Sequence, residues 1–150
     1  MTTTDSSARL LRPARTGRSP HPAPSRAGKI AGVLFLIVVL FQVALASGLP
    51  WGDAAFGGAN PGVLPAELRV SSAVAAVVYL LVAAAVGTRW LSATVRRVVL
   101  WGAAAFMLVG AVVNIASPSF VERIIWAPVT IALTVALWNA ARHPSLGRDR

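Results

Sequence analysis

The chain has 150 residues, of which 56% are hydrophobic and only 13% are charged, and its formal net charge is +9. A single small soluble domain cannot bury that much apolar surface, so the composition indicates a membrane protein. The basic excess would fit nucleic-acid binding in a soluble chain, but these arginines flank apolar runs and no nucleic-acid-binding motif accompanies them. We therefore expect the lipid bilayer as the main partner and no nucleic acid.

The absence of cysteine excludes disulfides and cysteine-ligated zinc or iron-sulfur centres. The two histidines, His21 and His143, both lie in polar flanks. A haem or metal pair would need ligands that face each other between helices. We therefore expect no cofactor and no metal site.

Residues 1–29 are rich in serine, threonine, proline and arginine, with six basic residues against the single acid Asp5. Such a composition is typical of a disordered tail. Two interpretations of its charge are compatible. The tail sets the topology, and it also binds anionic lipid at the membrane surface.

Four uncharged apolar runs follow, at residues 30–47, 70–87, 98–116 and 124–141. Each is about 27–29 Å long as a helix, close to the hydrocarbon thickness of a bilayer. Because short connections make sequential helices neighbours, we expect an all-α antiparallel bundle of four transmembrane helices over residues 30–141. A short basic tail, residues 142–150, ends the chain.

The charges outside these runs predict the orientation. The two tails and the loop at residues 88–97 carry 12 basic and two acidic residues, whereas the other two connections carry two basic and three acidic residues. The positive-inside rule therefore places both termini in the cytoplasm and loops 48–69 and 117–123 outside the cell membrane. All five tryptophans fall at predicted interfaces, as in an aromatic belt.

The first run has an alternative interpretation. A basic leader, an apolar stretch and the sequence Ala44-Leu45-Ala46 resemble a secretory signal with its cleavage site, which would leave three spans. The run has the length of a span and the leader is long, so we favour a retained helix.

Local signals mark helix ends. Pro65 followed by Ala66 and Glu67 predicts the start of the second helix outside the membrane. Ser119 and Glu122 have capping-box spacing at the start of the fourth helix. Pro128 lies inside that helix, where it removes the donor to the carbonyl of residue 124 and predicts a kink.

Small residues recur at four-residue spacing, which lets helices approach closely in lipid. The pairs are Gly28 with Gly32, Ala44 with Gly48, Ser72 with Ala76, and Ala83 with Gly87. In a chain this rich in alanine, a tolerant lipid-facing surface explains the same pattern.

Polar side chains in the spans concentrate in the predicted outer half, and no charge lies within a span. This predicts a shallow pocket that opens outward beneath the loop, in which Arg69 and Arg123 hold an anionic headgroup. Its candidate residues are Gln42, Trp51, Arg69, Ser72, Asn114, Glu122, Trp126 and Thr130. The alternative, which we favour here, is that Gln42 and Asn114 bond to other helices for structural reasons.

The three acids outside the predicted tails, Asp53, Glu67 and Glu122, lack the spacing of a calcium loop or an acid/base pair. Arg69 and Arg123 lie close to them in sequence. We therefore expect ordinary ion pairs.

Three segments carry a resemblance: Leu49-Pro50-Trp51-Gly52, residues 61–65 before Leu68-Arg69, and residues 122–128. With them, residues 30–141 resemble a family of small four-span membrane proteins from high-GC actinobacteria. The resemblance implies four spans. The family has no assigned activity, so the resemblance implies nothing about chemistry.

Three hypotheses of function follow. The first is a non-enzymatic structural or interaction subunit, with a homo-oligomer or another membrane protein as its partner. The second is a protein that binds a lipid or a quinone-like amphiphile in the outer pocket. The third is a membrane enzyme acting on an amphiphile, which the absence of a catalytic constellation disfavours.

Overall fold

The computed structural model describes residues 23–143, and within this range the chain forms four long α-helices, two short 3-10 turns and no β-strand. The helices are α1 (Arg26–Ser47), α2 (Ala66–Gly87), α3 (Ala93–Ile115) and α4 (Phe120–Arg142). All four are long and apolar enough to cross a membrane, which confirms the predicted all-α fold and makes the chain a multi-pass membrane protein. The predicted tail segments 1–22 and 144–150 lie outside the described residues.

Each helix begins four or five residues before its apolar run. In α1, α3 and α4 a serine before the first turn satisfies one of the free N–H groups at the helix start. Ser25 accepts a hydrogen bond from Gly28 N–H at 3.1 Å, and Ser92 accepts one from Val95 N–H at 3.4 Å. Residues 26–29, which the sequence placed in the tail, are therefore the first turn of α1.

Two of the small-residue pairs meet between α1 and α2. A Cβ atom on Gly28 would lie 3.2 Å from the carbonyl oxygen of Val86, and one on Gly32 would lie 3.4 Å from Cα of Gly87. A Cβ atom at residue 28 would make the neighbouring backbone shift by a few tenths of an ångström, and one at residue 32 would just touch it. Glycine at these two positions therefore allows close packing of α1 against α2.

The helices pair unequally. α1 packs against α2, α3 packs against α4, and the two pairs join mainly where α1 meets α4 around the buried Phe35, Leu133 and Leu137. The contact between α2 and α3 is much smaller, although only residues 88–92 separate them. Sequential helices are therefore close neighbours in two of three cases, and the α2–α3 seam is the loosest side of the bundle.

The two ends of the bundle differ in what they carry. At the tail end, the start of α1, the end of α2, the start of α3 and the end of α4 surround a recess of about 270 Å³. Arg96, only 7% exposed, donates a hydrogen bond there to the carbonyl of Thr88. The loop end consists of the connections 48–65 and 116–119 together with the helix turns next to them. We use these two names below.

The loop between α1 and α2 is folded back on itself. Gly52 N–H donates to the carbonyl of Gly62 at 2.9 Å. A Cβ atom on Gly52 would lie 1.9 Å from the carbonyl oxygen of Asn60, a distance that no packing tolerates. Residue 52 must therefore be glycine for a steric reason.

This requirement gives a test of the loop fold. We expect Gly52→Ala to lower the free energy of unfolding by about 3 kcal/mol because the loop backbone must shift. Gly102→Ala is the matched control, since nothing lies within 4 Å of its Cβ position. That change should stabilise α3 by up to about 1 kcal/mol through helix propensity. Unfolding in detergent measures both, and equal effects would contradict the steric explanation.

Candidate functional site

The first turn of α4 holds the loop through Glu122. Its carboxylate accepts hydrogen bonds from Gly57 N–H at 3.0 Å and from the hydroxyl of Ser117. Hydrogen bonds to a carboxylate are among the stronger ones in proteins. The sequence predicted an ion pair between this acid and an arginine. In the structure the carboxylate is instead hydrogen-bonded to Gly57 and Ser117.

The predicted capping box is correct in one direction only. The hydroxyl of Ser119 accepts a hydrogen bond from Glu122 N–H at 3.1 Å, as the motif requires. The return bond is missing, because Ser119 N–H donates to the hydroxyl of Ser117 at 3.2 Å. The Ser119 hydroxyl also donates to the carbonyl of Asp53. The cap therefore serves the loop as well as the helix.

Trp126 also attaches the loop to α4, through a buried hydrogen bond. Its indole N–H donates to the carbonyl of Ala54 at 2.8 Å, and its ring lies 4.4 Å from that of Phe41, centroid to centroid. The residue is only 9% exposed. The sequence predicted Trp126 at the membrane interface, as part of an aromatic belt. In the structure the ring does not face the lipid, because it is buried where it connects the loop, α1 and α4.

A cavity of about 390 Å³ lies directly beneath this fastened loop. All four helices contribute to its walls, and Ala54, Ala55 and Phe56 form its roof. Five of the eight candidate residues line it: Gln42, Asn114, Glu122, Trp126 and Thr130. Its volume is within the range of small-molecule sites.

The polar side chains in the cavity do not bond to one another. The hydroxyl of Thr130 donates within its own helix, to the carbonyls of Trp126 and Ala127 at 2.6 and 3.1 Å. The side-chain oxygen of Gln42 is buried and has no hydrogen-bond partner. The interpretation of Gln42 as a structural bond between helices therefore has no contact to support it.

The other three candidates lie elsewhere. Trp51 is on a separate apolar cleft between α1 and α4, where its ring is 6.2 Å from that of Phe41. Arg69 donates from Nε to the carbonyl of Ala46 at 3.1 Å and so fastens the end of α1 to α2. Ser72 is fully buried on α2, without a partner for its hydroxyl and outside the cavity.

Several lining residues were missing from the candidate set, notably Tyr79, Phe56 and Gly110. Tyr79 had a signal: it is the only tyrosine of the chain and lies two helical turns after Ser72. Phe56 had none. It adopts a left-handed backbone with φ 51°, uncommon for a bulky residue, just before Gly57 and Gly58 with φ 72° and 71°.

The electrostatics of the cavity point away from an anionic ligand. Among the lining residues, Glu122 is the only one with a formal charge. The predicted headgroup contacts, Arg69 and Arg123, do not line the cavity. Residues 23–143 also contain no group of three histidine or acidic side chains that could hold a metal ion.

We compared the chain with protein-family models, with curated proteins and with solved structures, and none of the three comparisons gives a match.

The fastening of the loop gives a second test. We expect Trp126→Phe to lower the free energy of unfolding by about 1–3 kcal/mol, because the buried carbonyl of Ala54 loses its donor while the aromatic contact with Phe41 stays. Trp90→Phe is the control, since Trp90 is 79% exposed. Unfolding of both variants in the same detergent measures the difference. A cost no larger than that of the control would contradict the proposed fastening.

Proposed function

We propose that this protein binds a neutral, hydroxyl-bearing amphiphile, such as a quinol or an acylglycerol, in the loop-end cavity. The observation that carries the proposal is that Gln42 lines the cavity and that its side-chain oxygen is buried without a hydrogen-bond partner. A hydroxyl on the ligand would donate to this oxygen. The protein acts in this proposal as a binding module of the cell membrane.

The burial of the Gln42 side-chain oxygen without a partner costs free energy. A buried polar atom without a partner costs about 1–3 kcal/mol relative to its hydrated state. Native structures contain few such atoms, and each needs an explanation. A ligand that supplies the donor removes the cost when it binds.

The charge of the cavity narrows the ligand class. An anionic headgroup would face the carboxylate of Glu122 with no lining arginine or lysine to compensate it. The mostly apolar walls, which include Val38, Met107 and Val113, suit the carbon atoms next to a small polar group. A neutral hydroxyl-bearing head therefore fits better than a phosphate or carboxylate.

The other two hypotheses have less support. The sequence favoured a structural or interaction subunit because the spans are uncharged, small residues recur on the helix faces and no catalytic constellation is present. The separate expectation that Gln42 bonds another helix has no contact behind it. An enzyme would need a carboxylate available to a substrate. The carboxylate of Glu122 already accepts two hydrogen bonds, one from Gly57 in the loop and one from Ser117 between α3 and α4.

Gln42→Leu separates a ligand-binding role from a structural one. We expect about fivefold weaker retention of added monoacylglycerol, the effect of one lost hydrogen bond. Removal of the unpartnered oxygen should leave the free energy of unfolding unchanged or raise it. Native mass spectrometry measures retention, and thermal unfolding measures stability.

The matched control is Asn139→Leu, which makes the same kind of change at an exposed position outside the cavity. It should retain monoacylglycerol like the unmodified chain. Full retention by Gln42→Leu together with a large loss of stability would reverse the conclusion, since that combination describes a structural bond.

The orientation belongs to the same proposal. The loop end, where the cavity lies, faces the cell exterior, and both termini are cytoplasmic. Six of the eight basic residues in the described range lie at the tail end and all three acids at the loop end, the distribution that the positive-inside rule expects. An amphiphile would then bind from the outer leaflet.

Single-cysteine labelling tests the orientation, because the chain has no cysteine of its own. We expect a membrane-impermeant thiol reagent to label Ala59→Cys on intact cells and to label Arg150→Cys only after the cells are opened. Labelling of the second variant alone on intact cells would invert the proposed topology.

A further inference from the structure

A second recess lies next to the cavity along the loose α2–α3 seam. It has a volume of about 250 Å³, and its walls are almost entirely apolar. Tyr79 and Phe106 line both spaces, so the two are neighbours. We call this second space the seam groove. Its lining residues are Phe35, Val78, Tyr79, Val82, Val99, Gly102, Ala103 and Phe106.

We propose that the seam groove holds the hydrocarbon tail of the amphiphile whose polar head occupies the loop-end cavity. This inference rests on the proposed function, because it concerns the same ligand. It adds the position of the tail and the route by which the ligand enters.

The polarity of the two spaces matches that of an amphiphile. Two groups that can bond a polar head, the side chains of Gln42 and Asn114, lie in the cavity. Beyond Tyr79 the groove has only apolar side chains and backbone. From Asn114 to Val99, α3 covers 15 residues, or about 22 Å, which is more than half of the hydrocarbon thickness of a bilayer. A long chain attached to the head fits that length.

The groove is open to the side, which gives a lipid ligand its route. Val78 and Phe106 on its rims are 49% and 58% exposed, on helices that face the bilayer. Its floor is Phe35, which is 1% exposed and has its ring 5.9 Å from that of Tyr79. A ligand can therefore enter between α2 and α3 from the bilayer without unfastening the loop.

Gly102 gives the groove its free width. No atom lies within 4 Å of the position that its Cβ would occupy, although the residue is in the middle of α3. Glycine there costs helix stability compared with alanine. A larger side chain would project into the groove without striking the protein.

The cleft between α1 and α4 is the competing place for the tail. It is larger, about 620 Å³, and also apolar. The rings of Phe41 and Trp126 separate it from the cavity, in contact at 4.4 Å, and the Trp126 indole is bonded to Ala54. A tail could reach that cleft only if this wall opened. Tyr79 and Phe106, which the seam groove shares with the cavity, make no ring contact with each other in residues 23–143.

Photolabelling of the unmodified chain locates the tail directly. The probes are two monopalmitoyl glycerols in phosphatidylcholine nanodiscs, one with a diazirine near the glycerol and one with a diazirine at the end of the chain. We expect the first to label residues 106–114 and the second to label residues 99–103 or 78–82. Label from the second probe in residues 37–44 or 121–125 would overturn the inference in favour of the other cleft.

Gly102→Leu tests the same point by filling the groove. Because packing rather than water exclusion holds a tail in lipid, we expect about fivefold lower retention of monopalmitoyl glycerol. Retention of mono-octanoyl glycerol should not change, since its short chain ends before residue 102. Ala105→Leu is the control, an exposed position on the same helix that does not line the groove.

The two proposals fail in different ways. If the unmodified chain retains neither glyceride and Gln42→Leu changes nothing, the proposed function is wrong and the tail site falls with it. If both glycerides are retained in a Gln42-dependent manner but Gly102→Leu affects neither, the head site stands and the seam groove is not the tail site.

Discussion

The attachment of the inter-helix loop to the first turns of α4 is the interaction on which the rest of the site depends. Glu122, Ser119 and Trp126 each bond the backbone of loop residues 53–57. These are three contacts from one helix to one short segment that has no regular ladder of its own. Backbone groups without partners are costly near lipid, so the bonds that satisfy them also determine where the loop lies. The loop therefore forms a roof over the helices, and the cavity is the space beneath it.

The same constraint explains how polarity is distributed inside the bundle. Three threonine hydroxyls donate hydrogen bonds to carbonyls of their own helices, so they need no other partner. They belong to Thr88, Thr130 and Thr134. A glutamine amide reaches farther and cannot be satisfied by the preceding turn in the same way. Gln42 is left with a buried oxygen at the cavity wall. Its position distinguishes it from Ser72, whose buried hydroxyl also lacks a partner but does not line the cavity.

The level of a residue along its helix could be predicted from the sequence, whereas the side of the helix on which it lies could not. The ends of the apolar runs gave the level of Gln42, Asn114 and Thr130, and these three residues do meet at one cavity. Arg69 was expected at the same site, but it lies on the other side of the α1–α2 pair because helix packing determines which way a residue faces. The partner of Glu122 was predicted wrongly for a similar reason. An arginine lies next to it in the sequence, but the folded loop brings Gly57 N–H to its carboxylate.

The unequal packing of the helices leaves the bundle open beside the cavity, on its α2–α3 side. Gly28 and Gly32 let α1 pack closely against α2. On the α2–α3 side, Gly102 instead faces open space. Glycine thus closes one interface and widens another, according to whether a second helix approaches it. In a bilayer a lateral opening of this kind does not stay empty, because lipid chains are everywhere around it. Apolar walls alone would accept any of those chains, so selectivity has to come from the polar end, where Gln42 and Asn114 can bond a headgroup. In the binding site that we propose, the loop above the cavity gives specificity and the α2–α3 seam gives access.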